Sequence, residues 1–253
     1  MIDIKKAEEE FRKYTSKYDM SEAHILRKVY HTARVEELCE KVAISIGMNE
    51  EDVNLAKLIG LLHDIARFEQ YTIYKTYNDL KSIDHGDFAL EILKKDNYIR
   101  KYIETDEYDE IIFKAIKNHN KYVIESNLSE KEEVFCKIIR DADKLDIMYQ
   151  ATNESWINDI QKIEGQIIAQ EVLEQFLSNN TINRINVKEL IDRIVVHIAF
   201  IYDLNFKESY KILNEKDYIN KIFDRFSFEK EETKEQMTKI RKIANDYINN
   251  QIK

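Results

Sequence analysis

The chain has 253 residues and a mass of 30.3 kDa, room for one large or two small domains at about 150 residues each. Apolar residues make up 43% and charged residues 34%, a surplus of charge over the globular norm of about 25% that calls for long amphipathic elements. A net charge of −9 disfavours broad binding to nucleic acid or anionic lipid, and leaves room for a small anionic ligand at a locally positive site. There is no proline, and the four glycines, Gly47, Gly60, Gly86 and Gly165, stand alone. Neither a glycine-rich phosphate loop nor a dinucleotide fingerprint can be written with them, and nothing punctuates a sheet, so the expected fold is all-α. The longest uncharged apolar stretch, Ile194 to Tyr202, falls short of the roughly 20 residues of a membrane helix. Met1 to Lys6 lead into an acidic run with no apolar secretion core, so a cytoplasmic location is expected.

In chain order, residues 2–17 read as an amphipathic helix, and Ser21 as the cap of a long helix that Gly47 terminates. Asn49 caps the next, whose apolar run through Val53, Leu55, Leu58, Ile59 and Leu62 delivers His63 and Asp64 at its C-terminal end. The pattern lapses from Phe68 to Ser82, where Tyr71, Tyr74 and Tyr77 recur every third residue. This stretch is either a lid-like loop or a short half-buried helix with a tyrosine face. Periodicity returns over Asp84 to Lys94 and again over Glu107 to Asn118, which leads into His119, and Ser129 with Glu132 forms a capping box ahead of the helix containing Arg140 to Asp146. Beyond Thr152 the spacing stays helical, most strongly over Val187 to Tyr202. The division expected is 1–152 for a first helical domain and 153–253 for a C-terminal helical extension, acting as a cap on a cleft or as a homodimer surface. The charged run at 229–242 reads as a solvated helix face. Cys39 and Cys136 sit inside helices and read as reduced core residues.

Five of the six histidines precede residue 120. His197 lies in an apolar helix and reads as a core or interface residue, and His24 as solvent-facing. The other four form an ordered set with two acidic stations: His31-Thr-Ala-Arg-Val, Leu62-His63-Asp64-Ile-Ala-Arg67, Asp84-His85-Gly86, Asn118-His119-Asn120 and Asp141-Ala-Asp143-Lys144-Leu145. A single His-Asp dipeptide is a weak signal, whereas the ordered set is a strong one. It resembles the HD-domain superfamily of metal-dependent phosphohydrolases over roughly residues 20–150, which implies an HD-domain helical bundle. Position by position, the resemblance makes His31, His63, Asp64 and a distal aspartate the ligands of a first metal. His85 and His119 stand where the two-metal members hold a second. Asp143 is preferred to Asp141 as the distal ligand, because the family pattern of small residue, Asp, basic residue, Leu fits residues 142–145. With no proline, the signature of the subgroup that cleaves cyclic dinucleotides is absent.

The chemistry of these residue types agrees. Asp64 has two oxygens to share between two ions about 3.5–4 Å apart, and imidazole-rich ligation suits Mn, Fe, Co, Ni or Zn better than Mg or Ca. Two divalent ions on four neutral imidazoles and two carboxylates leave about +2 to polarise phosphoryl oxygens and to generate a metal-bound hydroxide as nucleophile. Arg67 and Lys144, each within a turn of a ligand, are the expected phosphate anchors, while Arg34 sits a turn beyond His31 and can pair with a helix carboxylate instead. The leading expectation is hydrolysis of a small phosphorylated metabolite or nucleotide, as monoester or diester. The alternatives are a mixed-valent di-iron oxygenase, which the superfamily also contains, and a non-catalytic ligand-binding module.

Overall fold

The computed structural model describes residues 1–153 and 163–253, and among these there is no strand. The helical expectation across 154–162 lies outside the described residues. Two compact units divide the chain, Met1–Asp143 and Lys144–Lys253.

In the first unit α1 (Ile4–Thr15) opens under an Asp3 cap, and α2 (Ala23–Ser45) follows. The cap of α2 is Glu22, whose carboxylate accepts from the His24 N–H. Ser21 instead donates to Asp19 at 2.6 Å, an Asx-type turn that competes successfully with capping. Gly47 takes the left-handed conformation, φ 76°, which closes α2 as expected of a C-terminal glycine. Asn49 caps α3 (Glu50–Leu62) by accepting from the Asp52 N–H at 2.9 Å. Helix α3 is apolar nearly all round because it runs through the core: Leu55, Leu58, Ile59 and Leu62 are fully buried, with Val35, Cys39 and Val42 of α2. Each such side chain contributes about 1.5–3 kcal/mol of burial. The two helices pack against each other most closely at Gly60, where an added Cβ would stand 3.0 Å from both Cys39 Sγ and the Glu36 Cα.

The stretch after Phe68 is a short helix followed by an irregular segment. Helix α4 (Ala66–Tyr74) carries Tyr71 and Tyr74 and ends at Lys75, which is forced to φ 54° in the absence of a glycine. The chain then runs irregularly through a 3₁₀ turn at Asp79–Lys81 to α5 (His85–Lys94). Tyr77 folds back onto Tyr71, ring centroids 5.0 Å apart, and its hydroxyl donates to the His24 carbonyl at 2.9 Å, so the segment is pinned to α2. Helix α6 (Asp109–Asn118) and α7 (Glu130–Asn153) complete the unit. The expected Ser129–Glu132 capping box is present, with the Ser129 N–H donating to Glu132 at 2.7 Å and the Glu132 N–H to Ser129 at 3.3 Å. Both cysteines are buried and free.

The second unit takes the end of α7 and α8 (Gln170–Leu177), α9 (Leu190–Ala199), α10 (Lys207–Glu215), α11 (Tyr218–Phe223) and α12 (Glu231–Ile252). Its core joins Val172 and Phe176 of α8, Ile191, Ile194, Val195 and Ile198 of α9, and Ile240, Ala244 and Ile248 of α12. The charged run at 229–242 falls mainly on the solvated face of α12, whose buried stripe is Thr233, Met237, Ile240, Ala244 and Ile248. No helix among the described residues is long and apolar enough to cross a membrane.

Candidate metal centre

Helix ends bring the histidines together. His31 projects from the middle of α2, and His63 and Asp64 occupy the tight turn between α3 and α4, where the His63 N–H still closes onto the Ile59 carbonyl at 2.9 Å. His85 opens α5 under Asp84, whose carboxylate accepts from the Gly86 and Asp87 N–H groups. His119 caps the C-terminus of α6. Asp143 stands half-buried on α7, and Asp141, fully buried, lies about 200° round that helix from it.

The four imidazoles and Asp64 are buried, and their ligating atoms meet in two groups. His31 Nε2 is 3.2 Å from His63 Nε2, and Asp64 Oδ2 is 3.3 Å from the first and 3.6 Å from the second. Asp143 Oδ1 joins this group at 3.2 Å from His31 and 3.8 Å from His63. His85 Nε2 is 2.9 Å from His119 Nε2, and Asp64 Oδ1 reaches them at 3.4 Å and 3.8 Å. One carboxylate thus turns one oxygen to each histidine pair. Both groups, His31 with His63 and Asp64, and Asp64 with His85 and His119, have the donors and the spacing to hold a metal ion.

The hydrogen bonds on the far sides of the rings decide what the near sides present. His63 Nδ1 is 2.7 Å from the Gly60 carbonyl and His119 Nδ1 is 2.6 Å from the Ile116 carbonyl. A carbonyl only accepts, so each Nδ1 carries the proton and each Nε2 a lone pair. His85 Nδ1 faces Asp79 Oδ2 at 2.6 Å, which imposes the same tautomer. The lone pairs of His85 and His119 therefore point at each other across 2.9 Å, a repulsive arrangement that a cation between them would relieve. Burial pushes the His63 imidazole down to about 4, and burial with the Arg67 charge pushes His85 down to about 3. Both are neutral at ordinary pH, the form that ligates. Burial opposes ionisation of Asp64, but the adjacent Lys28 ammonium and the surrounding histidines together outweigh it and hold the carboxyl well below its usual range. Asp143 is likewise lowered, with the hydrogen bond and charge of His31 overcoming burial. The residues present fit an imidazole-loving divalent metal at both groups.

Cations flank the acidic end. Lys28, one turn ahead of His31 on the same face of α2, places Nζ 2.6 Å from Asp64 Oδ2. Nothing in its identity marked Lys28 in the sequence, although its i−3 spacing from His31 was there to be read. Arg67 Nε stands 3.4 Å from Asp64 Oδ1 and carries no hydrogen bond. Its Nη1 is committed to Gln70 Oε1, the Tyr77 carbonyl and Asp79 Oδ1 at 2.7–2.9 Å. Arg67, Lys28 and Arg27 all lie within 6 Å of the Tyr77 ring, which gathers three cations around the carboxylates of Asp64 and Asp79. Lys144 has its ammonium 2.8 Å from Asp203 Oδ2 and 5.7 Å from the Phe200 ring centroid. Arg140, which the sequence did not single out, donates through Nη1 to the Asn118 and Lys121 carbonyls at 2.8 and 2.6 Å and so holds the turn around His119. His24 is exposed and His197 half-buried against Phe200.

No curated protein and no solved structure matches the chain. The family model described as HD domain matches residues 29–148, a segment that begins just before His31 and ends just after Asp143. Residues 29–148, a little under half of the chain, therefore match the HD domain, and the match takes in His31, His63, Asp64, His85, His119 and Asp143.

Proposed function

We propose that the chain is a metal-dependent phosphohydrolase acting on a small phosphorylated metabolite or nucleotide, as monoester or diester. The observation that carries this reading is Asp64, whose two oxygens face two separate histidine pairs while Lys28 and Arg67 approach the same carboxylate from outside. One or two divalent transition-metal ions (Mn, Fe, Co, Ni or Zn), when bound by His31, His63, Asp64 and Asp143 and by Asp64, His85 and His119, supply Lewis acidity toward a phosphoryl oxygen and water of lowered pKa.

The protein's own residues do the rest. Lys28, whose ammonium stands 2.6 Å from Asp64 Oδ2, would place a positive charge beside a phosphate held at the metal group. Arg67 is held rigidly through Nη1, with Nε 3.4 Å from Asp64 Oδ1, so that its guanidinium charge stands fixed beside the carboxylate at the centre of the site. Fixed cations in a poorly solvated site stabilise a phosphoryl group as charge develops on it, and removing one costs on the order of 2–4 kcal/mol, roughly a factor of 30 to 1,000 in rate. Lys144 belongs to the reading as a second anchor, in competition with its Asp203 partner. Burial keeps His63 and His85 uncharged, the form in which an imidazole ligates a metal.

The test is a screen of phosphorylated metabolites with Mn, Fe, Co and Ni supplied separately, repeated on Arg67→Ala and Lys144→Ala. Retained metal with turnover reduced by the factor above supports the anchoring roles. Full activity in both variants removes them. Product formed only with consumption of oxygen replaces hydrolysis by the di-iron oxygenase reading.

A further inference from the structure

His85 differs from the other histidines whose outer contacts are defined. His63 and His119 lean on backbone carbonyls of their own helices, whereas His85 leans on a side chain, Asp79, that arrives from the irregular segment between α4 and α5. Asp79 is itself fixed from behind. Its Oδ1 accepts from Arg67 Nη1 and from Gln70 Nε2, both at 2.9 Å. Gln70 is fully buried and spends the rest of its amide on the same segment, donating to Ser82 Oγ and the Ile83 carbonyl at 2.9 Å. With Oδ1 saturated by two donors from α4, the carboxylate can present only Oδ2 to the imidazole.

We propose that Asp79 is a positioning residue for the second metal group: clamped by Arg67 and Gln70, it fixes the tautomer and ring angle of His85 so that Nε2 is presented to a cation shared with Asp64 and His119. The inference rests on the two-metal reading of the site. Outer carboxylates on ligating histidines typically set metal affinity by 10–100-fold. The physical reason here is specific, because an amide in place of the carboxylate cannot serve both sides. Its oxygen is drawn to Arg67 and Gln70, which leaves its NH₂ facing His85 Nδ1. The ring then answers by moving its proton to Nε2, where no metal can bind.

The experiment is titration of metal-free protein with Co²⁺ alone, followed by equilibrium dialysis and by the ligand-field absorption of the bound ion. Wild type, Asp79→Asn, Asp79→Ala and His85→Ala are compared. The expected result is two equivalents in wild type, with the second weakened 10–100-fold in both Asp79 variants and abolished in His85→Ala, and the first unchanged within about threefold throughout. Asp79→Asn is isosteric and keeps the bonds to Arg67 and Gln70, so it carries the test even if Asp79→Ala does not fold. A second equivalent within threefold of wild type in Asp79→Asn overturns the proposal. So does parallel weakening of both equivalents, the mark of a merely structural residue. A wild type that binds a single equivalent overturns the two-metal reading itself, and this inference with it.

Discussion

Glu36 provides a stability prediction whose size follows from its surroundings. It lies on α2 only 8% exposed, beside the close approach at Gly60, with Oε1 lacking any hydrogen-bond partner. Burial, reinforced by the charge of Glu8 across on α1, raises its carboxyl from 4.5 to about 8. The folded protein therefore holds a proton that the unfolded chain releases above 4.5. Stability is fully present below that value, and it falls as pH rises until the folded group ionises near 8. At about 1.4 kcal/mol per unit, the loss reaches about 3 kcal/mol by pH 7 and levels off above pH 8, a large share of a typical 5–15 kcal/mol total. Glu36→Gln mimics the protonated acid at every pH and keeps a donor for Glu8. Urea unfolding of the chelator-treated protein, followed by circular dichroism, should give nearly equal stabilities for the two proteins at about pH 4. The variant should gain about 3 kcal/mol over wild type by pH 7. Because every other titrating group is common to both, parallel pH profiles would refute the reasoning.

Asp64→Ala should lose both metal equivalents by elemental analysis, because one oxygen serves each histidine pair. Asp143→Ala, whose carboxylate meets His31 and His63, should weaken one equivalent and spare the other. Gly60→Val should lower stability by about 1–3 kcal/mol in thermal or urea unfolding, since even a Cβ there meets Cys39 and the α2 backbone at 3.0 Å. An unchanged midpoint would mean that the helices can part without penalty.

The primary sequence alone determined the class of fold and picked out the residues that come together as the candidate metal centre. Both follow from local chemistry: helical periodicity, the absence of proline, caps such as Asn49 and Ser129, and four histidines placed in order with Asp64 and the Asp141–Asp143 pair. What it could not decide depends on contacts between residues far apart in the chain. One local feature also escaped it: the cap of α2 falls on Glu22 and not on Ser21, because Asp19, two residues away, claims the serine. The segment after Phe68 became a short helix and a strap because Tyr77 found the His24 carbonyl and Asp79 found His85, Arg67 and Gln70. Lys28 acquired a role only when the turn between α3 and α4 brought Asp64 within 2.6 Å of it. Arg140 became the clamp on the His119 turn only when α7 passed beneath the carbonyls of residues 118 and 121. Periodicity and capping are visible in a chain because they are set within a few residues. The partners of a buried charge are set by packing, and packing is a property of the folded chain.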